Sequence, residues 1–182
     1  MKKYVLFIII IIGLFVIAGC SSSVEDSNEA SEDASVDGSL SFLDIEFSDV
    51  NTGVTHKISD FAGKKVLVES FAVWCPTCTR QQQVIGELHD QLGDQVVSIS
   101  LDTDPNEDVE KVKEHTQRHG FDWIYAVSPR ELTQSLIDTF GVGVVNAPSA
   151  PVVLVCEDQS FRLMQRGLKD LDELRQEIER GC

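Results

Sequence analysis

The sequence predicts an α/β fold in which a central mixed sheet is covered by helices on both faces. Three observations carry that expectation. Val66–Val73 is an apolar run of strand length, the pattern of a strand buried on both faces. Strand-like and helix-like periods then alternate as far as Phe140, which asks for parallel strands joined by crossover helices. Beyond Pro151, two short apolar runs flank the polar turn Glu157-Asp158-Gln159-Ser160 and lead into a last helix. That pattern is an antiparallel hairpin added to the same sheet.

Taken in order, Phe42 to Val50 and Val54 to Ile58 read as a first hairpin around Asn51-Thr52-Gly53. Ser59–Gly63 is a short helical turn, and the apolar strand follows Lys64-Lys65. Val84, Ile85, Leu88 and Leu92 mark one face of a helix closed by Gly93. Val96–Leu101 is the next strand. Asp104-Pro105-Asn106-Glu107 then reads as cap, first-turn Pro and capping Glu of a helix running to His119. Phe121–Val127 is a strand. Ser128-Pro129-Arg130-Glu131 repeats the helix start signal, with Leu132, Leu136, Ile137 and Phe140 as the buried stripe. Val152–Cys156 and Phe161–Arg166 form the last hairpin. Asp170 and Glu173 cap the last helix, with Leu171, Leu174 and Ile178 inside.

The 182 residues allow one domain with appendages, divided at 1–20, 21–40 and 41–182. Lys2-Lys3 precede an apolar run from Tyr4 to Ala18, then Gly19-Cys20, which makes a secretory signal. The run is shorter than the ~20 residues that span a bilayer comfortably; an uncleaved anchor is the alternative. Ile17-Ala18-Gly19-Cys20 resembles the prokaryotic lipoprotein signal, which implies lipidation at Cys20. The domain is then expected on the extracytoplasmic face of the membrane, where disulfides persist. Residues 21–40 are rich in Ser, Asp and Glu and lack basic and aromatic residues, a self-repelling tether.

The formal charge of −15 excludes a nucleic-acid partner, because phosphate binding needs a basic face. No metal site is expected. Structural zinc wants a second C-x-x-C or a His pair beside Cys75 and Cys78. His115 and His119 have helical spacing but lack the intervening Glu of a metalloprotease helix. Both are read onto a solvated face. Cys156 reads as a small core residue and Cys182 as a frayed end, their pairing being conceivable but not expected.

Chemistry concentrates in Trp74-Cys75-Pro76-Thr77-Cys78-Thr79. With a strand before it and a helix after it, Cys75 falls on the helix's first turn. Free N–H groups and the positive end of the helix dipole there favour thiolate over thiol. Cys78, one turn further in, can attack a mixed disulfide at Cys75. The spacing suits thiol–disulfide exchange. Glu69, inside the apolar strand, is expected to have a carboxyl pKa raised by desolvation, into the range where it exchanges protons near neutral pH. A Glu69 turned outward, or merely hydrogen-bonded, is the competing reading.

Lys64 to Cys78 resembles the redox strand of the thioredoxin superfamily. The added hairpin and βα insertion resemble its membrane-anchored, extracytoplasmic TlpA-like branch, over roughly residues 41–180. The resemblance implies a three-layer α/β/α sandwich and a thiol–disulfide oxidoreductase, on balance a reductase. Its Pro-Thr pair is similar to that of thioredoxin-like proteins serving cytochrome c maturation. It implies an exposed attacking Cys75, a buried resolving Cys78, and Glu69 as proton shuttle. Trp74 and Pro76 would shield the pair and meet substrate. A cis-Pro would face the cysteines: Pro151, sixteen residues before Gly167, is preferred over Pro148, which precedes Ser149. No cofactor is implied beyond a redox-active Cys75–Cys78 disulfide. Partners would be protein thiols or disulfides and an upstream electron donor, met by a monomer.

Two other chemistries compete. Cys75-Pro76-Thr77 is similar to a peroxiredoxin site, but Ala72 stands where that chemistry wants a Thr, and Cys78 where it wants a Glu. A copper-delivery module on the same fold would need three residues between the cysteines; there are two.

Overall fold

The computed structural model describes residues 41–182. The signal, Cys20 and the acidic tether therefore lie outside the described residues. No helix among the described residues is long and apolar enough to cross a membrane.

A five-stranded mixed sheet has the order β5-β4-β3-β6-β7. Its strands are β3 (Lys65–Phe71), β4 (Val96–Asp102), β5 (Ile124–Val127), β6 (Val152–Val155) and β7 (Phe161–Leu163). β3, β4 and β5 run parallel, while β6 pairs antiparallel with β3 and with β7. The expected first hairpin is reduced to two short strands, β1 (Phe47–Ser48) and β2 (Thr55–His56), in a separate sheet. Asp49 accounts for the shortening: its carboxylate accepts from Asn51 N–H and the Thr52 hydroxyl, which turns the chain early.

Strand parity assigns the two cores. Val66 and Val68 on β3, with Ile99 and Leu101 on β4, face one side, where they pack with Leu132 and Leu136 of α3 (Arg130–Phe140) and with Phe42 and Phe47. Leu67, Glu69 and Phe71 face the other side. There Leu67 packs with Ile85 and Leu88 of α1 (Pro76–Leu92) and Leu174 and Ile178 of α4 (Leu171–Arg180). Phe71 packs with Cys75, Cys78 and Val112 of α2 (Val109–His119). The right-handed crossovers β3-α1-β4-α2-β5 put α1 and α2 on one face, so the three-layer sandwich follows from topology.

Three local expectations are corrected. The cap of α2 is Asp108, whose side chain accepts from Lys111 N–H at 3.0 Å, and not Asp104. Asp104 instead closes a turn through Asn106 N–H, leaving Glu107 free for the redox loop. His115 is buried at the α2–β3 contact, stacked on Phe71, and only His119 is exposed. Cys156 and Cys182 form a disulfide. Val152 and Leu154 on β6, and Cys156 just after it, pack in one cluster with Leu174 and Ile178 of α4, which brings Cys156 under the segment following that helix. The capping box of α4 forms as expected, with Asp170 and Glu173 bonding each other's backbone N–H at 2.8 Å.

Candidate active site

β3 ends at Phe71, and the turn 72–75 delivers Cys75 to the N-cap of α1, with Pro76 at the first helical position. Cys75 Sγ accepts from Cys78 N–H at 3.2 Å. The two cysteines form a disulfide, with Cα atoms 5.3 Å apart. Cys78 Sγ lies 3.1 Å from the Ala147 carbonyl. Cys78 is fully buried, as expected of a resolving thiol. Cys75 departs from expectation: it is only 1% exposed. In the disulfide Cys75 packs in one cluster with Ala72, Phe71 and Ala147.

Access lies beside the pair. A cleft of about 260 Å³ is lined by Ala72, Trp74, Asp104, Asn146, Ala147 and Pro148, among others. Trp74 is 59% exposed, and its indole N–H donates to Asp104 Oδ2 at 2.6 Å. Pro76 is exposed at the helix start. Pro148, the second choice, lines this cleft. Pro151 is buried, its carbonyl accepting from Ser70 N–H at 3.2 Å. No peptide bond among the described residues is cis, so neither proline has the geometry the resemblance implied. The segment 142–150 is occupied by two 3₁₀ turns, and Ala150 adopts φ +42°; that path carries the chain into β6 without a cis bond.

Beneath the pair, Glu69 is 1% exposed. Its Oε2 accepts from Gln82 Nε2 at 3.1 Å and from the Ser100 hydroxyl at 3.0 Å, while Oε1 has no hydrogen-bond partner among the described residues. Burial pushes the carboxyl up to about 8, against the opposing pull of those two donors and of the Lys169 charge. Desolvation thus favours the protonated form of Glu69 well above the ordinary carboxylate range.

Sequence reasoning missed the polar shell around this carboxyl. Gln82 passes the contact on, its Oε1 lying 2.7 Å from His115 Nε2. Burial drives His115 down to about 4, so the ring is neutral and donates. Gln81 and Gln82 are both fully buried on α1; their place one turn beyond Cys78 was the available signal. A second acidic element lies under the redox loop. Glu107 Oε2 accepts from Val73 N–H at 2.7 Å, and buried Asp102 beside it is pushed up to about 8, by burial first and by the Glu107 charge as well. Among the described residues, no group of His, Cys, Asp and Glu is arranged to hold a metal ion.

The mixed sheet with a disulfide at the head of α1 defines a thioredoxin-like protein, and solved structures agree. A DsbF homologue from Corynebacterium diphtheriae superposes with a TM-score of 0.62 at 14% identity, over 75% of this chain and 83% of that one. A thiol:disulfide interchange protein of the thioredoxin family from Chlorobium tepidum gives 0.60 at 16%, over 75% and 92%. A secreted disulfide oxidoreductase from Mycobacterium tuberculosis, homologous to E. coli DsbE, gives 0.55 at 15%, over 73% and 92%. The Redoxin family model matches residues 36–169. The chain belongs to the Redoxin family: it is a thioredoxin-fold thiol–disulfide oxidoreductase carrying a Cys75–Cys78 pair.

Proposed function

We propose that this protein is a lipid-anchored reductase of protein disulfides, working on the extracytoplasmic face of the membrane. The observation that carries the chemistry is the Cys75–Cys78 disulfide at the head of α1, with a buried Glu69 on β3 whose carboxyl is raised by desolvation to about 8. In the reduced protein, the Cys75 thiolate attacks a substrate disulfide, forming a mixed disulfide and releasing one substrate thiolate. Glu69 takes the Cys78 proton, and the Cys78 sulfur attacks Cys75. The Cys75–Cys78 bond re-forms, and the second substrate sulfur leaves with the electron pair and is protonated. The cycle consumes two electrons, supplied by an upstream dithiol donor. Helix position favours Cys75 over Cys78 as the attacking sulfur, since its Sγ receives the Cys78 N–H at the positive end of α1.

Trp74 and Pro148 border the cleft through which a substrate strand would approach. Lipidation at Cys20 and the acidic tether of residues 21–40 would hold the domain away from the bilayer.

The direction is tested by the reduction potential of the Cys75–Cys78 couple. A value near ~−270 mV supports a reductase, and one near ~−120 mV makes the protein an oxidant. Anchoring is tested separately, by radiolabelled palmitate incorporation into the full chain. Label lost in Cys20→Ala supports the lipid anchor; label absent from the parent protein overturns it.

A further inference from the structure

Lys169, between β7 and α4, is the only buried lysine or arginine among the described residues, at 5% exposure. Its ammonium donates to the carbonyls of Ala150 at 2.8 Å and Gly167 at 2.6 Å. Its backbone is gripped by a single side chain: Lys169 N–H donates to Gln81 Oε1 at 2.8 Å, and Gln81 Nε2 donates to the Lys169 carbonyl at 3.3 Å. Gln81 sits one turn after Cys78 on α1.

These contacts connect the lysine to the resolving sulfur by a short path. Ala150, held by the ammonium, donates its N–H to the Ala147 carbonyl at 2.8 Å. That carbonyl meets Cys78 Sγ at 3.1 Å. Gly167 N–H donates to Ser149 at 2.7 Å, so the same clamp closes the turn from its other end. Carbonyls satisfy the ammonium's protons but do not neutralise its charge, and a buried charge calls for an opposite one. The groups whose charges act on it are Glu69 from β3 and Glu173 and Glu177 from α4. Glu69 is the buried member of the three.

We propose that Lys169 is a positioning residue of the redox site, fixing the Ala147–Ala150 turn against the resolving sulfur and supplying the counter-charge for the Glu69 carboxylate. The inference rests on the exchange reading above. During resolution, Glu69 must be a carboxylate to accept the Cys78 proton, and among the described residues no other positive charge acts on it: Gln82 and Ser100 are neutral donors, His115 beyond Gln82 is held neutral by burial, and Tyr125 on β5 is kept protonated by burial first and by Glu69 as well. Burial lowers Lys169 to about 8 and raises Glu69 to about 8, while each charge favours the other.

The test uses the full chain with Lys169→Met, read by carbon NMR titration of the Glu69 carboxyl and by the pH profile of mixed-disulfide resolution. The Glu69 midpoint should move upward, and resolution at pH 7 should slow about tenfold for each unit moved. In a Glu69→Gln background, Lys169→Met should shift the pH profile no further. Should Lys169→Met fail to fold, Lys169→Gln retains a donor for the carbonyls without the charge, and the same upward shift is expected. An unmoved Glu69 midpoint in either folded variant overturns the proposal. If the parent protein resolves no mixed disulfide at any pH, the exchange reading falls and the proposal with it; if the parent resolves and the variants match it, only the role of Lys169 falls.

Discussion

Ser100 on β4 is the register partner of Glu69 on β3, and its hydroxyl donates to Glu69 Oε2 at 3.0 Å. Trp123 Nε1 in turn donates to Ser100 Oγ at 3.0 Å. The carboxyl is therefore held in a fixed orientation inside the sheet–helix layer, with one oxygen accepting from two donors and the other without a hydrogen-bond partner among the described residues.

Holding an acid there makes stability depend on pH. The ordinary carboxyl titrates near 4.5 and Glu69 near 8 in the fold. Between those values the unfolded chain has released the proton and the folded chain retains it, so stability falls as pH rises. Glu69→Gln removes this dependence. The variant should match the parent below pH 4.5, then gain on it by about 1.4 kcal/mol per pH unit up to about 8. Urea denaturation at several pH values measures the gap, and a constant gap contradicts a raised carboxyl.

The Cys156–Cys182 disulfide closes a loop of sequence separation 26 and fastens the segment after α4 to β6. Replacing both residues with Ala should cost about 3 kcal/mol of stability. Cys156 follows Val155, whose register partner Val66 lies at the end of β3 opposite the Cys75–Cys78 pair, so exchange activity should persist; parallel loss of activity would assign it a redox role.

Glu107 holds the redox loop by accepting from Val73 N–H. Glu107→Ala leaves that N–H without its partner, at a cost of about 1–3 kcal/mol. Glu107→Gln retains the acceptor but removes the charge facing Asp102, so the Asp102 pKa should fall from about 8. Carboxyl NMR titration of the two variants separates these effects.

Trp74 borders the cleft and is fixed by Asp104. Because Cys75 is nearly inaccessible in the disulfide, Trp74→Ala should speed reduction by dithiothreitol while raising KM for a disulfide-bonded peptide. Unchanged rates for both would show that the indole neither gates nor contacts substrate.

The fold was legible because the features that set it are local: the apolar run Val66–Val73, the Gly stops at 93, 120 and 141, and the Asp170–Glu173 box. So were Cys75, Cys78 and the raised pKa of Glu69, since a carboxyl in an apolar strand is desolvated whatever its neighbours. What depended on contacts between elements was not legible. Asp104 reads as the cap of α2 by sequence, but its carboxylate is engaged in the Asn106 N–H turn and Asp108 caps the helix. His115 looks solvated by composition until Gln82 meets it. Cys156 and Cys182 pair because β6 parity and the end of α4 coincide, which spacing does not reveal. The exposed Cys75 of the resemblance gave way to a buried residue packed in one cluster with Ala72 and Ala147, and the cis-Pro to a pair of 3₁₀ turns.

The central claim is that Cys75 attacks and Cys78 resolves. Its most direct test is to mix reduced Cys78→Ser protein with a disulfide-bonded peptide and locate the adduct by mass spectrometry. The account predicts a stable mixed disulfide on Cys75 that the parent protein does not accumulate. An adduct on Cys156 or Cys182 alone, or none at Cys75 under conditions where the parent turns over, would contradict it.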